Sequence, residues 1–447
     1  MTEANSEPKA LGPNYRRLWT AFVASNLGDG VSGVAYPWLA SAVTRNPVHI
    51  ALIGVATRIP WLIFTLPAGV ITDRSDRRRL VVWMDVIRTV LTLGVALAVV
   101  TLGGNLPNPD EVAAGEIASS TGWLLGILYL TALVFGFAEV LHDNSAQTLM
   151  PSLVRPDQLQ RANGRLWGAE TVANSFLGPP LGGVLLGIGY ALPFFFDAGT
   201  FAVAAALVAM LVGNFRPKRE SPEPRPSFMT ELKQGFRWLW RHDLLRSLAI
   251  TLGILNAANG MVFATFVLFA QEVLQLSATQ FGLIATAGAA GGVIGSFVAP
   301  GVSKRLGSGP ALYSSIGVGI ATDLVIGLTS QGWVAWAMLG LASLSAVVWN
   351  VITVSLRQEI IPDELLGRVN SVYRFFGWGM IPIGTFLGGV LVAVTEDALG
   401  RETGLRIPFF VAAALEAILL IYALPRLSSS KIAAAREAAS AGKTGSR

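Results

Sequence analysis

Apolar runs of about 20 residues, the length a helix needs to cross the hydrocarbon of a bilayer, recur along this chain with charged or Gly/Pro-rich stretches between them. They predict twelve helices, at 16–43, 50–72, 80–103, 122–142, 162–188, 191–212, 246–272, 280–302, 311–330, 333–356, 369–395 and 405–426. The pattern breaks most sharply in two places. Between the second and third runs, six charges, Asp73, Arg74, Asp76, Arg77, Arg78 and Arg79, fill seven positions. Between the sixth and seventh, "FRPKRESPEPRPSF" is too rich in proline and charge to be anything but a linker.

That linker divides the chain into a first six-helix bundle (1–212), a linker region (213–245), a second six-helix bundle (246–426) and a tail (427–447). Within the linker region Phe228, Leu232, Phe236 and Leu239 recur at helical spacing while Lys233, Arg237 and Arg241 take other faces. This suggests either an amphipathic helix lying on the inner leaflet or a solvated linker helix. The tail from Lys431 is Ala-rich and basic, with little to bury.

Composition agrees with an all-α integral membrane protein: 52% hydrophobic, 14% charged, mean hydropathy +0.55. Lys and Arg near helix ends are retained on the cytoplasmic side. With both termini inside, the outer loops hold only Arg45, Arg401 and Arg406 of the 33 Lys and Arg. A multi-pass protein of the bacterial cytoplasmic membrane is expected. The net charge of +5 is then a topological signature and implies no nucleic-acid partner. With no cysteine, disulfides and thiolate metal sites are excluded, and neither a metal nor a cofactor is expected. No small-residue cleavage site follows a short apolar core at the N-terminus, so the first helix should stay as an anchor.

The two halves repeat. "NLGDG" (26–30) answers "NAANG" (256–260) at an offset of 230, and "ALIGVATR" from Ala51 answers "GLIATAGA" from Gly282 at 231. "QTLMP" (147–151) matches "QEIIP" (358–362) at 211, the "GG" at 182 matches the "GG" at 388, and "PFF" at 193 matches "PFF" at 408. Six helices repeated in parallel describe two pseudo-symmetric bundles about an axis along the membrane normal, with a central site between them.

The charged stretch "GVITDRSDRRRLV" resembles the loop between helices 2 and 3 of the major facilitator superfamily: Gly69, Asp73, Arg74, Arg77 and Arg78 match its pattern in place. Asp76 stands where the family has glycine, a variant associated with the drug and siderophore exporter branch that includes enterobactin and macrolide exporters. In the fifth run, Gly178, Pro179, Gly182 and Gly183 resemble the family's antiporter motif, although Asn174 replaces its upstream glycine. "PDELLGRVNS" and "FFFDAGTF" also look like that branch. The resemblance implies the twelve-helix fold, alternating access, a small-molecule substrate, proton antiport, export and a monomer. It gives the charged loop a gating role, with Asp73 and the arginines pairing with the other half. Topology alone is the plainer explanation of those charges.

Charges inside the bilayer are costly unless paired or hydrated. Asp29 lies near the middle of the first helix, and its repeat partner is the neutral Asn259, so a titratable acid occurs in one half only. Desolvated there, it can take up and release a proton near neutral pH, or it can be a packing aspartate. Arg58, whose repeat position is Ala289, is a candidate to neutralise it, and Asp197 is either a coupling or a structural acid. Many proton-coupled family members carry a basic residue in helix 4, yet 123–150 has none. Asp85 and Arg88, three apart, are expected to pair with each other. Glu139, His142 and Asp143 cluster at the inner end of the fourth helix, where a histidine can titrate near physiological pH but a solvated helix end is the plainer reading, and Asp323 and Glu416 read as isolated acids.

Tyr36, Trp38, Asn256, Asn259, Phe263, Trp349 and Asn350 are candidates to line a midplane substrate site, against the alternative that they face lipid or the core. Such a cavity suits amphipathic drugs, siderophores or secondary metabolites. A transporter of endogenous lipid or lysophospholipid, or a transport-inactive membrane sensor or scaffold, is the alternative. No zinc-type His pair, nucleotide loop or nucleophile–base cluster points to an enzyme.

Overall fold

The computed structural model describes residues 11–104, 106–108, 111, 122–216 and 228–444. The first half comprises α1 (Pro13–Val43), α2 (Pro47–Arg74), α3 (Arg77–Leu102), α4 (Gly122–Leu149), α5 (Pro156–Ile188) and α6 (Ala191–Ala209). After α7 (Phe228–Arg241) the second half follows with α8 (Asp243–Ala264), α9 (Phe266–Glu272), α10 (Ala278–Leu306), α11 (Ser308–Leu328), α12 (Gly332–Ile360), α13 (Asp363–Leu399) and α14 (Arg401–Ala423), and α15 (Ser429–Thr444) ends the described chain. Among the described residues, eleven helices are long and apolar enough to cross a membrane. α1, more polar because it carries Asn26, Asp29 and several serines, lies packed among them and completes the twelve-helix fold.

The repeat read in the sequence reappears in the packing. In the first half α1 packs on α5, α2 on α4 and α3 on α6; in the second α8 packs on α13, α10 on α12 and α11 on α14. The halves meet where α2 crosses α13 and α5 crosses α10.

The buried apolar residues show which end of this interface is closed. On the side away from the termini, one core joins residues of both halves, from Val34, Trp38 and Leu186 to Phe269, Phe281 and Phe409. On the side of the termini there are two separate cores, one around Tyr15, Leu149 and Val208 and the other around Leu248, Trp349 and Tyr373. The molecule is therefore sealed at one face and parted at the other.

Two prolines shape α5. Pro179 and Pro180 have no N–H to donate, and each ring crowds the carbonyl four residues back. The chain upstream answers by winding as a π-helix over Thr171–Leu177, and the Gly178 N–H donates to the Ala173 carbonyl, five residues back. A single-turn π segment of this kind is uncommon and recurs at functional sites. The predicted helix 246–272 is likewise interrupted, at Thr265 between α8 and α9.

The tail departs from its expectation. α15 buries Ile432 against α12 and α11, and Arg436 Nε donates to Glu359 Oε2 at 2.6 Å. A cavity of about 580 Å3 separates it from Ser303, Lys304 and Ser355. The alanines of the tail keep it slim enough to lie along the second half's end.

Candidate functional site

The segment "GDG" in α1 is built for close approach on two sides. A Cβ at Gly28 would fall on Asp197 and Thr200 of α6, and one at Gly30 on the Asn174 backbone of α5. Between these glycines, Asp29 is turned toward α3, with its side chain 23% exposed. Its Oδ1 lies 3.8 Å from Arg88 Nη1, and Ser25 Oγ is 3.5 Å from its Oδ2.

Arg88 is fully buried in the middle of α3. Its guanidinium pairs closely with Asp85 one turn earlier, donates to Ser25 Oγ at 3.4 Å, and lies 4.3 Å over the Phe201 ring and 5.9 Å from that of Phe135. His142 of α4 places Nε2 3.4 Å from Asp85 and Nδ1 3.0 Å from Asp143. Asp197, buried, accepts a close hydrogen bond from Ser32, with Thr200 Oγ1 at 3.5 Å. Glu139 accepts from Trp61 Nε1 at 3.3 Å, and the Trp61 ring meets Trp378 of the other half at 6.3 Å.

Two buried or half-buried carboxylates, Asp85 and Asp29, thus share one cation. Asp85 holds the better geometry, so Asp29 is the member that a proton or a substrate group can relieve. Arg58 is exposed and makes no ion pair among the described residues, so the cation beside Asp29 is Arg88 and not Arg58. His142 is buried and engaged, where a solvated helix end was expected. The signal for Arg88 was in the repeat: at the 231 offset its partner is Gly319. There the second half places Glu416 against a bare glycine, with Asp323 nearby on α11 and no cation in contact among the described residues. Among the described residues, a cluster that joins buried acids to a buried arginine occurs in the first half.

Three residues of the charged loop between α2 and α3 are occupied within their own half. Arg77 Nη1 donates to the Thr148 carbonyl at 3.0 Å and Arg78 Nη1 to the Leu211 carbonyl at 2.7 Å, so both cations sit on the carbonyl ends of α4 and α6. Asp76 caps α3, accepting from the Arg79 N–H at 3.1 Å, which gives the departure from the family pattern a local purpose. Arg74 is exposed, and the place of a Cβ on Gly69 is empty to 4 Å. The side chain of Asp73 lies outside the described residues, and so does any partner it has in the other half.

The motif glycines of α5 divide the work. A Cβ on Gly178 would lie 2.6 Å from the Gly30 Cα, and one on Gly182 2.6 Å from the Val31 carbonyl, so these two hold α5 to α1. Gly183 faces the other half, where a Cβ would lie 2.6 Å from the Ala278 carbonyl of α10, and Pro179 backs onto Gly282. The repeat reproduces this pair: Gly388 packs on Met261 within the second half, and Gly389 packs on Pro47, Val48 and Ala51 of the first.

Polar groups reinforce this closed end. Arg45, between α1 and α2, bonds Gln271 closely and lies 3.7 Å from Glu272; Gln271 donates to Ser41 Oγ at 2.8 Å. Arg401 grips Glu272 at 2.8 Å and donates to the Arg45 carbonyl at 2.9 Å. Burial pulls the Arg45 guanidinium below its ordinary range, against the opposing pull of Glu272. Because Arg401 is about one-third exposed, Arg401→Ala is expected to weaken closure by only ~1 kcal/mol, about fivefold. In this cysteine-free chain, the check is the reactivity of Ser41→Cys toward a membrane-impermeant thiol reagent added on the closed side.

Of the candidate substrate residues, Asn259, Phe263 and Asn350 are exposed, and Asn256 donates to the Gly377 carbonyl at 2.8 Å. Tyr36 is half-buried, edge-on to Phe194 at 5.2 Å. Trp38 and Trp349 are buried in two different cores, Trp38 against Phe281 across the interface at 5.4 Å. The structure does not bring these seven into one lining.

The sequence pattern of the Major Facilitator Superfamily matches residues 18–385. The chain is 25% identical over 401 residues to the enterobactin exporter EntS of Escherichia coli O1:K1, covering 88% of each protein. Among solved structures it resembles a bacterial homologue of the iron transporter ferroportin in an inward-facing state (TM-score 0.66, 19% identity, 92% of this chain and 99% of that one). It also resembles a bacterial homologue of the human lysosomal transporter Spinster, inward-facing and unoccupied (TM-score 0.69, 14% identity, 95% and 98%).

Proposed function

The chain belongs to the Major Facilitator Superfamily, and from that premise we propose that it exports small amphipathic molecules, drugs, siderophores or secondary metabolites, by proton antiport. The observation that carries the reading is the shared cation: Asp29 stands 3.8 Å from an arginine already committed to Asp85. A carboxylate in that position is costly when charged and cheap when neutral, so its proton can be exchanged for a cationic or polar group of the cargo. Asp197, one helix away on α6, supports Asp29 through the close Gly28 crossing, and Arg58 remains a second cation to test. Likeness to the enterobactin exporter EntS supports the outward direction.

With the termini in the cytoplasm, as the clustering of Lys and Arg supports, the parted face opens inward. Alternating access then consists of opening the Gly183–Ala278 and Gly389–Pro47 crossings while the charged loop closes the opposite face. We assign pairing across the halves to Asp73 and Arg74 of that loop, and a single exposed pair of ~1 kcal/mol suffices to bias two nearly balanced states. Exposed Asn259, Phe263 and Asn350, with Tyr36 and Asn256, supply aromatic and polar groups for the cargo.

The test is efflux of ethidium from a pump-deficient bacterium, with and without a proton uncoupler. Uncoupler-sensitive efflux is expected from the wild type and at least a tenfold lower rate from Asp29→Asn, in keeping with loss of a proton-transfer group. Unchanged efflux in the variant would remove Asp29 from the mechanism.

A further inference from the structure

α7 presents three faces in sequence around its axis. Gly235 and Leu239 form the buried one: a Cβ on Gly235 would lie 2.6 Å from the Arg368 carbonyl of α13, and Leu239 is 1% exposed. Beside it run two aromatics, Phe236 and Trp240, both exposed, stacked at 5.4 Å and each 6.2 Å from Phe376 of α13. Next comes the row Lys233, Arg237 and Arg241, four residues apart and so in line along the helix. All three cations are exposed, and none has an ion pair or hydrogen bond among the described residues. His242, the next basic group, is held below the ordinary imidazole range by burial and caps α8. The positive charge of the strip at neutral pH is therefore that of the three long side chains.

Position decides what such a strip meets. α7 ends at Arg241, and α8, a membrane-crossing helix, starts two residues later. The aromatics thus sit at the level where the second half enters the bilayer, the depth at which a Trp ring keeps one edge apolar and the other wet and at which the apolar face of an interfacial helix carries Trp and Phe. A shallow cavity of about 450 Å3 lies between the two rows, lined by Leu232, Lys233, Phe236, Arg237, Trp240 and Arg241.

We propose that this strip is a binding site for the headgroup of an anionic phospholipid in the leaflet on the side of the termini, with the phosphate against Lys233, Arg237 and Arg241 and the upper acyl chains against Phe236 and Trp240. Charge complementarity selects the occupant. Three exposed cations without a partner among the described residues, beside a ring surface, match a molecule that is anionic at one end and apolar at the other, and a free phosphate would leave the rings bare. Because α7 grips α13, which crosses α2 of the first half, an occupied site steadies one of the two elements at the crossing.

The experiment uses the purified full-length protein in detergent mixed with equal amounts of phosphatidylglycerol and phosphatidylcholine of identical chains, and counts the lipid retained after size exclusion by mass spectrometry. The wild type is expected to enrich phosphatidylglycerol. Lys233→Gln/Arg237→Gln/Arg241→Gln is expected to lose that preference, about fivefold for each cation removed, and Lys233→Arg/Arg237→Lys/Arg241→Lys to keep it. No enrichment by the wild type overturns the proposal without recourse to any variant, and so does enrichment that persists in the triple Gln protein. Displacement of the lipid by millimolar inorganic phosphate would make this a site for free anions and would overturn it equally.

Discussion

Arg88→Met is expected to cost about 3–5 kcal/mol of stability, because it leaves Asp85 charged, fully buried and without its cation. His142 cannot replace the arginine at no cost: its Nε2 stands 3.4 Å from Asp85, and its other nitrogen is held by Asp143. The protein loses in addition the stacking of the guanidinium on Phe201, which methionine replaces only in part. Removing both charges together has a different outcome. Asp85→Asn/Arg88→Met replaces a buried pair by neutral groups of similar volume, a change that is often neutral or stabilising. Its thermal unfolding in detergent should return most of the way to that of the wild type, while the ethidium efflux attributed to Asp29 is expected to be lost in both variants because the shared cation is gone. Equal melting of Arg88→Met and wild type would mean that the Asp85–Arg88 pair contributes nothing to stability.

How much of this was legible beforehand depends on whether a feature is local or is set by a crossing. The membrane-crossing helices followed from hydropathy and charge, which the bilayer imposes residue by residue. The break at Thr265, by contrast, follows no strong local signal. The i,i+3 spacing brings Arg88 to Asp85, but its reach to Asp29 depends on how close α1 comes to α3, which no spacing within either helix records. The burial of His142 has the same cause, since what covers it is α3 and not its own helix. Trp38 and Trp349 show the converse: as aromatics near the midplane they looked like cavity residues, and packing took both into cores. The alanines of the tail leave it little to bury, yet one isoleucine and one arginine are enough to lay it along the end of a bundle already formed.

The doubled glycines give the sharpest expected contrast between neighbours. Gly182→Val places its side chain into the Val31 backbone of the same half, a contact that both conformations of a rocking molecule retain. It should therefore lower thermal stability by about 1–3 kcal/mol, the usual cost of overpacking, and leave Ser41→Cys as protected from the impermeant reagent as before. Gly183→Val meets Ala278 and Thr279, which belong to the other half and move away when the closed face opens. Here the same 1–3 kcal/mol falls on one conformation only and becomes a population shift of about 5- to 150-fold toward the state open on that face. Labelling of Ser41→Cys should rise accordingly, with the melting temperature little changed. The repeat supplies an independent copy of the experiment: Gly388→Val, against Met261, should behave like Gly182→Val, and Gly389→Val, against Pro47 and Ala51, like Gly183→Val. If all four variants were equally unstable and equally protected at Ser41, the second glycine of each pair would be ordinary packing and the crossings would not be the moving joint. If only the cross-half pair exposes Ser41, the antiporter-type motif acts here by leaving one face of α5 bare for a contact that must be made and broken in every cycle.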